Sequence, residues 1–300
     1  MSLNHSDLFL KQEWLDIISE NSKIKMIELS FKNSHLIAAF VQKTYGPFHT
    51  HTCAEFTPHN IKIFHEIETT NAYSIYSKEV KLLELLDREL NTYSRVKIKF
   101  PLNFYTLSPL LGSYSKAYWA TTCWIPSDTK IDSLWHQIHA GTRNHIQSGQ
   151  KDTAIIEDAP LETIYNLILE NPYYAKSSLS LHKLTQIKQY LDPLQSFKTF
   201  SVQDPNQHII ATAILIRSEN VWYFWMNATD KQFQNRESNS ILIWRAIEFA
   251  INLGCHFHFD GSMVPSIEKV FKSFTSETKP YCYLVRSQNV FLRLWDAFNV

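Results

Sequence analysis

The stretch Leu242–Phe274, LIWRAIEFAINLGCHFHFDGSMVPSIEKVFKSF, decides the fold. Ile243, Ala246, Ile247 and Ala250 recur at helical spacing, and Leu242, Phe249 and Leu253 widen the stripe, so a largely buried helix is expected from about Ser240 to Leu253. Ser238 or Ser240 suits its N-terminus and Gly254 its exit. Cys255 to Asp260 then alternates with period two, placing Cys255, Phe257 and Phe259 on one face and His256, His258 and Asp260 on the other. After the turn Asp260-Gly261-Ser262, a second helix is expected over Val264 to Phe274.

Working outward, Gln195 to Gln203, His208 to Arg217 and Val221 to Asn227 read as strands separated by the polar turns Asp204-Pro205-Asn206-Gln207 and Ser218-Glu219-Asn220. Three such strands make an antiparallel meander. Downstream, Lys279 to Ser287 reads as a returning strand and Val290 to Phe298 as an amphipathic helix. The first half has a fainter version of this outline. Leu8 to Ser19 is helical, Lys23 to Ser30 and His35 to Gln42 form a hairpin, and Glu79 to Leu90 is a helix with Leu82, Leu83, Leu86 and Leu90 on one face, followed by the strand Arg95 to Phe100. KLLELLDREL…RVKIKF thus echoes LIWRAIEFA…CHFHFD as helix then strand. Helices over Ser133 to Ser148, Leu161 to Leu169 and Leu179 to Leu191 are expected between the halves.

The composition excludes several classes. Of 300 residues, 44% are hydrophobic and 19% charged, the balance of a globular protein and not of a disordered one. Lys+Arg and Asp+Glu both number 29, so no cationic excess points to duplex DNA. No run of 18 apolar residues predicts a membrane span. Asp7, Lys11 and Glu13 interrupt what would be a leader's apolar region, so a cytoplasmic protein is expected. Cys53, Cys123, Cys255 and Cys282 form no CxxC pair and read as free thiols. Walker, Gly-x-Ser-x-Gly and dinucleotide-binding motifs are absent from the sequence.

Several residues have the chemistry of a site. A helix N-terminus attracts phosphate, and Asn235, Arg236, Ser238, Asn239 and Ser240 supply donors where the long helix begins; an ordinary solvated loop with a serine cap is the alternative. Asp260 ends a strand where a carboxylate can face a cleft or else cap the next helix. His258 is a candidate base or a hydrogen-bonded surface histidine. Lys272 is a candidate partner for an oxyanion or a solvated helix charge, and Tyr281 and Tyr283 are candidate acids or strand packing. The His258-x-Asp260 spacing suits two ligands of a facial triad, with His208 or His256 as a third, but it lies between two helices; His49 and His51, with His59 and His65, are similarly suggestive but read as a loop, and no metal is expected.

The run quoted at the outset resembles the Fem-type branch of the GNAT-like acyltransferases. The similarity rests on Trp244, Ala246, Ala250, Gly254, Phe259, Asp260, Gly261, Ser262, Phe271, Lys272, Phe274 and the following Pro280-Tyr281, with Arg143 to Ser148 at the place of that family's basic helix end. The approach to the long helix, Asn235 to Ser240, departs from the pattern in having no glycine. The resemblance implies an α+β fold of two tandem GNAT-like domains, residues 1–130 and 131–300, each a mixed, mostly antiparallel sheet flanked by helices. It implies transfer of an acyl or aminoacyl group to the amine of a small molecule or peptide, with Arg143 and Ser262 at the substrate. The donors it implies are acyl-coenzyme A or aminoacyl-tRNA, used as substrates with no tightly bound cofactor. A catalytically inactive binding or assembly module on the same scaffold is the alternative.

Overall fold

The computed structural model describes residues 6–20, 22–66, 71–114, 116–172, 174–233, 236–260 and 264–298. The chain divides into two compact units. The first holds Phe9–Ala120 and Pro280–Val300, the second Thr121–Lys279 and the N-terminal residues to Leu8. This division differs from a cut at residue 130, because the C-terminal strand pairs within the first unit.

The first unit runs α1 (Gln12–Ile18), β1 (Lys23–Ser30), β2 (Ser34–Tyr45), β3 (Phe48–Thr52), β4 (Ile61–His65), α2 (Ala72–Leu90), β5 (Arg95–Lys99) and α3 (Ser108–Leu111). The chain continues through β6 (Lys116–Ile125), α4 (Ile131–Gln137), α5 (Ala140–Asp152), β7 (Ala154–Glu157), α6 (Leu161–Glu170), α7 (Leu181–Leu191), β8 (Phe197–Gln203), β9 (Ile209–Ser218), β10 (Val221–Thr229), α8 (Arg236–Asn252), β11 (His256–His258) and α9 (Pro265–Lys272). It ends with β12 (Thr278–Ser287) and α10 (Val290–Phe298).

In the first unit the strand order is β1-β2-β3-β5-β12, with β4 also on β2. Among the described pairings the β3/β5 pair is the parallel one, Thr50 opposite Arg95 and His51 opposite Val96, and α2 crosses between them. The second unit has the order β6-β11-β10-β9-β8-β7, and its parallel pair is β10/β11 with α8 crossing between. The two sheets therefore share one construction, antiparallel except for one helix-spanned parallel step. The faint repeat of helix then strand in the sequence is this step.

The leucine face of α2 packs with Phe40, Val96, Ile98, Phe100 and Leu284 in the first core. In the second, Leu242, Ile243, Ala246, Ile247 and Ala250 of α8 meet Trp222, Phe224, Phe257, Phe259, Phe271 and Phe274. Each fully buried Leu, Ile or Phe among them contributes about 1.5–3 kcal/mol. Gly149 of α5 lets that helix approach α8: a Cβ there would lie 2.3 Å from Ile241 Cδ1. Gly254, at φ +68°, ends α8 in the left-handed conformation expected of an exit glycine.

Three local expectations need correction. The helix expected over Ser133 to Ser148 is two helices, since Ile138 adopts an extended conformation between α4 and α5. The guanidinium of Arg143 holds that break by donating to the carbonyls of Trp135, His136 and Ile138. The segment around His49 and His51, read as a loop, is β3. The long helix begins at Arg236, a turn before the expected start, so Ser238 and Ser240 lie inside its first turns and are not its caps. Among the described residues, no helix is long and apolar enough to cross a membrane.

β12 is tied into the first unit by more than its ladder to β5. Arg286, 4% exposed, donates to Asp87 Oδ1 at 2.8 Å and to the Leu90 carbonyl, and its guanidinium lies 5.1 Å from the Tyr114 ring centre. Replacing Arg286 with Ala removes the counter-charge of Asp87 and strands the Leu90 carbonyl. We expect it to lower the unfolding free energy by about 3 kcal/mol, as for other broken buried pairs, read as a drop in the urea midpoint at unchanged slope.

Candidate functional site

The strand β10 pairs with β9 along its length, with a register shift between Phe224 and Met226 that leaves Trp225 as the extra residue of a bulge. Its other edge meets β11 over three residues only: Val221, Trp222 and Tyr223 lie opposite His256, Phe257 and His258. From Phe224 to Thr229, among the described residues, that edge has no strand partner. A slot thus opens beyond Tyr223 and His258, where two parallel strands stop sharing hydrogen bonds. The bulge stands on one side of it, and Phe259 and Asp260 leave on the other.

Alternation places the side chains as expected. Cys255, Phe257 and Phe259 enter the core beneath α8. The opposite face carries His256 and His258, with Trp124 from β6 opposite His258 and Tyr223 on its other side. His256 accepts a hydrogen bond from the Ser127 amide at Nδ1, 3.0 Å, and lies 4.8 Å from the Trp124 ring. Burial and the nearby Lys279 push its pKa down.

His258 is not a surface histidine. It is 4% exposed, its ring 4.8 Å from Tyr223 and 5.8 Å edge-on to Trp124. The Asp260 amide donates to its Nδ1 at 2.7 Å. With Nδ1 accepting, the ring proton of the neutral imidazole sits on Nε2, so His258 presents a donor there. Asp260 takes φ +52°, a left-handed conformation that aspartate tolerates better than most residues. That turn carries the chain off the strand and leaves the carboxylate half-buried at its end.

Tyr223, Asp7 and Ser218 complete this surface. Tyr223 is 8% exposed, and burial, followed by the carboxylates of Asp7, Asp260 and Glu219, pushes its phenol well above the ordinary value. Asp7 is 1% exposed and accepts from Ser218 Oγ at 3.2 Å, while the Leu8 amide donates to the same hydroxyl at 2.9 Å. The N-terminal residues thus deposit a buried carboxylate beside the turn between β9 and β10. Tyr223 was legible in VWYFWMN, where alternation separates it from Trp222 and Phe224. Asp7 was not, because its partner lies 211 residues away.

The other candidates separate. Ser238 is buried, Ser240 is 7% exposed, and Asn239 is half-buried with Asn227 Nδ2 at 3.5 Å from its Oδ1, so these three sit in the first turns of α8. Arg236 opens the helix. Asn235 and Ser262 lie outside the described residues. Arg143 is engaged by the end of α4. Lys272 is half-exposed and bonded to Glu268 at 2.7 Å, which raises its pKa. Tyr281 belongs to the first unit, where Lys99 Nζ lies 5.4 Å from its ring centre. Burial lifts the Cys123 and Cys282 thiols to about 11, so neither is a ready nucleophile. Among the described residues, no three His, Cys, Asp or Glu side chains are grouped to hold a metal ion.

A model of the GNAT acetyltransferase domain matches residues 193–263, the span of β8, β9, β10, α8 and β11. No curated protein sequence matches the chain. Among solved structures the chain is similar to FemX, with a TM-score of 0.68 and 11% identity over 97% of this chain and 94% of that one. It is also similar to L-PGS from Bacillus licheniformis, TM-score 0.56 and 9% identity over 98% of each chain. A third is the C-terminal domain of a putative lysylphosphatidylglycerol synthetase from Agrobacterium fabrum, TM-score 0.52 and 11% identity over 96% and 94%. At such identities the likeness is one of fold: the chain has the Fem-like tandem GNAT fold, and the match to the acetyltransferase domain model is confined to residues 193–263.

The hydrogen bond from the Asp260 amide fixes one tautomer. Nitrogen-15 spectra of the histidine side chains at neutral pH should show His258 protonated at Nε2 with Nδ1 as acceptor. A dominant Nδ1–H form would contradict the site geometry.

Proposed function

We propose that the second unit transfers an acyl group to an amine, using the slot between β10 and β11 as the donor site. The observation that carries this is the three-residue parallel pairing that ends at Tyr223 and His258 beside the Trp225 bulge. An extended acyl donor laid there runs along the edge of β10 that β11 does not cover. The start of α8 follows β10 directly and offers amides and dipole to a donor's phosphates. Acyl-coenzyme A is the donor this arrangement suits, with Ser238, Asn239 and Ser240 in the turn that receives the pyrophosphate.

The acceptor's nitrogen attacks the acyl carbon, forming a C–N bond as the C–S bond to the donor breaks. The amine proton passes to the Asp260 carboxylate, and the departing thiolate takes up a proton. Asp260 is therefore the base. His258 is a positioning residue that holds the Asp260 turn through Nδ1, and a neutral Nε2–H beside the slot favours charge building on oxygen. Lys272, committed to Glu268, has no step in this scheme, and Arg143 and Tyr281 have none either. The acceptor is a small-molecule or peptide amine.

A second reading, a binding module without catalysis, draws support from the glycine-free approach to α8 and from the depth at which Ser238 lies. Calorimetry with acetyl-coenzyme A and free coenzyme A separates the two. The first reading expects micromolar binding of both. It also expects Asp260→Asn, which keeps an αL-tolerant residue, to lower kcat/KM about 10²–10⁴-fold with donor affinity unchanged. Binding of an aminoacyl-tRNA but of no coenzyme A species would replace the donor; binding of neither would leave the module reading.

A further inference from the structure

The first unit holds a groove of 710 Å³ lined by Lys23, Gln42, Lys43, His49, His51 and Tyr93 among others. It is independent of the acyl-transfer reading, which concerns the second unit. Lys23, Gln42 and His51 lie opposite one another in a row across β1, β2 and β3, and residues in such a row share a face of the sheet. His49, two residues before His51, shares it too.

His51 has the least ordinary environment in the groove. It is 1% exposed, with Tyr93 tilted against it at 3.6 Å between ring centres. Gln42 Nε2 lies 2.7 Å from His51 Nε2, an arrangement in which the amide donates and the ring proton rests on Nδ1. That Nδ1 is buried and has no hydrogen-bond partner. Burial, then His49 and Lys25, lowers the His51 pKa to about 4, so the ring is a neutral donor at pH 7. Lys23, Lys25 and Lys43 make no ion pair among the described residues. A chain of zero formal charge has thus placed two ammonium groups without ion pairs, Lys23 and Lys25, on the sheet face of one buried N–H that lacks an acceptor, whereas Lys43, opposite Thr50, takes the other face.

The chemistry selects the ligand. Cations and metal ions are repelled. No arginine is among the lining residues, so the planar fork that suits a carboxylate is missing, whereas point-like ammonium groups suit a tetrahedral oxyanion. The volume falls in the range of small organic ligands, roughly 300–1,000 Å³. The geometry points to a binding site for the phosphoryl group of a small phosphorylated molecule, held by Lys23 and by the His51 donor after the Tyr93 ring swings away, with Lys25 on the same sheet face.

Histidine side chains of the full chain, labelled with nitrogen-15, are followed while inorganic phosphate is added at constant ionic strength and pH 7. A saturable shift at His49 and His51 is expected, together with a rise of the His51 pKa from about 4 in the presence of phosphate. Lys23 is exposed, so the variant K23A should keep its thermal transition while binding phosphate about tenfold more weakly or worse. Phosphate bound at the start of α8 leaves these two ring signals still and is insensitive to K23A, which separates the two sites. Citrate serves as the carboxylate control. A saturable response to citrate without one to phosphate overturns the phosphoryl assignment. No saturable response to either, or an unchanged response in K23A, overturns the site.

Discussion

Antiparallel strands can be joined by two residues, but parallel neighbours cannot: the chain must travel back along the sheet before it can pair again. Each unit contains one such step, β3 to β5 and β10 to β11, and each spans it with its longest helix. That helix must bury its inner face, and so the cores form beneath α2 and α8. The parallel step also generates the candidate site. Strands that twist and share only three residue pairs separate soon after, and the crossover helix begins where they separate.

On the sheet face away from α8, polarity is concentrated and nearly dry. Tyr223, His258 and Asp7 are each less than a tenth exposed, yet they include a carboxylate, a phenol and an imidazole. Groups of this kind survive burial when they satisfy one another. Asp7 has the Ser218 hydroxyl, and His258 has the Asp260 amide. The arrangement fixes orientation more than charge. The Asp260 amide fixes the imidazole at Nδ1, and burial keeps the phenol protonated.

Periodicity exposed what is regular here and missed what depends on distant partners. The stripe Ile243, Ala246, Ile247 and Ala250 and the alternation of Cys255 to Asp260 are properties of adjacent residues, so α8, β11 and their faces were legible. So was the tandem pattern, since α2 with β5 and α8 with β11 repeat the same switch from period 3.6 to period two. The start of α8 was misplaced by a turn because Ser238 and Ser240 have the composition of caps, while the chain already satisfies helical geometry at Arg236. The break between α4 and α5 was hidden because it depends on Arg143 reaching back to three carbonyls. His49 and His51 were read as loop residues because a polar five-residue strand shows little alternation of hydrophobicity. Asp7, which meets Ser218 across most of the sequence, left no local trace.

The return of β12 to the first unit has a consequence for biosynthesis. The ladder from Tyr283 to Ser287 against β5, and the Arg286 anchor to Asp87, involve residues made only after the whole second unit. When the ribosome has released Ala120, the first unit still lacks β12, and β5 waits with one side unpaired. The second unit, continuous from Thr121 to Lys279, needs beyond that span only the residues up to Leu8, which are made first. The order of completion therefore reverses the order of synthesis: most of the first unit, Phe9–Ala120, precedes Thr121–Lys279 yet closes after it. An exposed strand edge is an invitation to mispairing, so this protein has to fold its second half promptly to release the strand that seals its first.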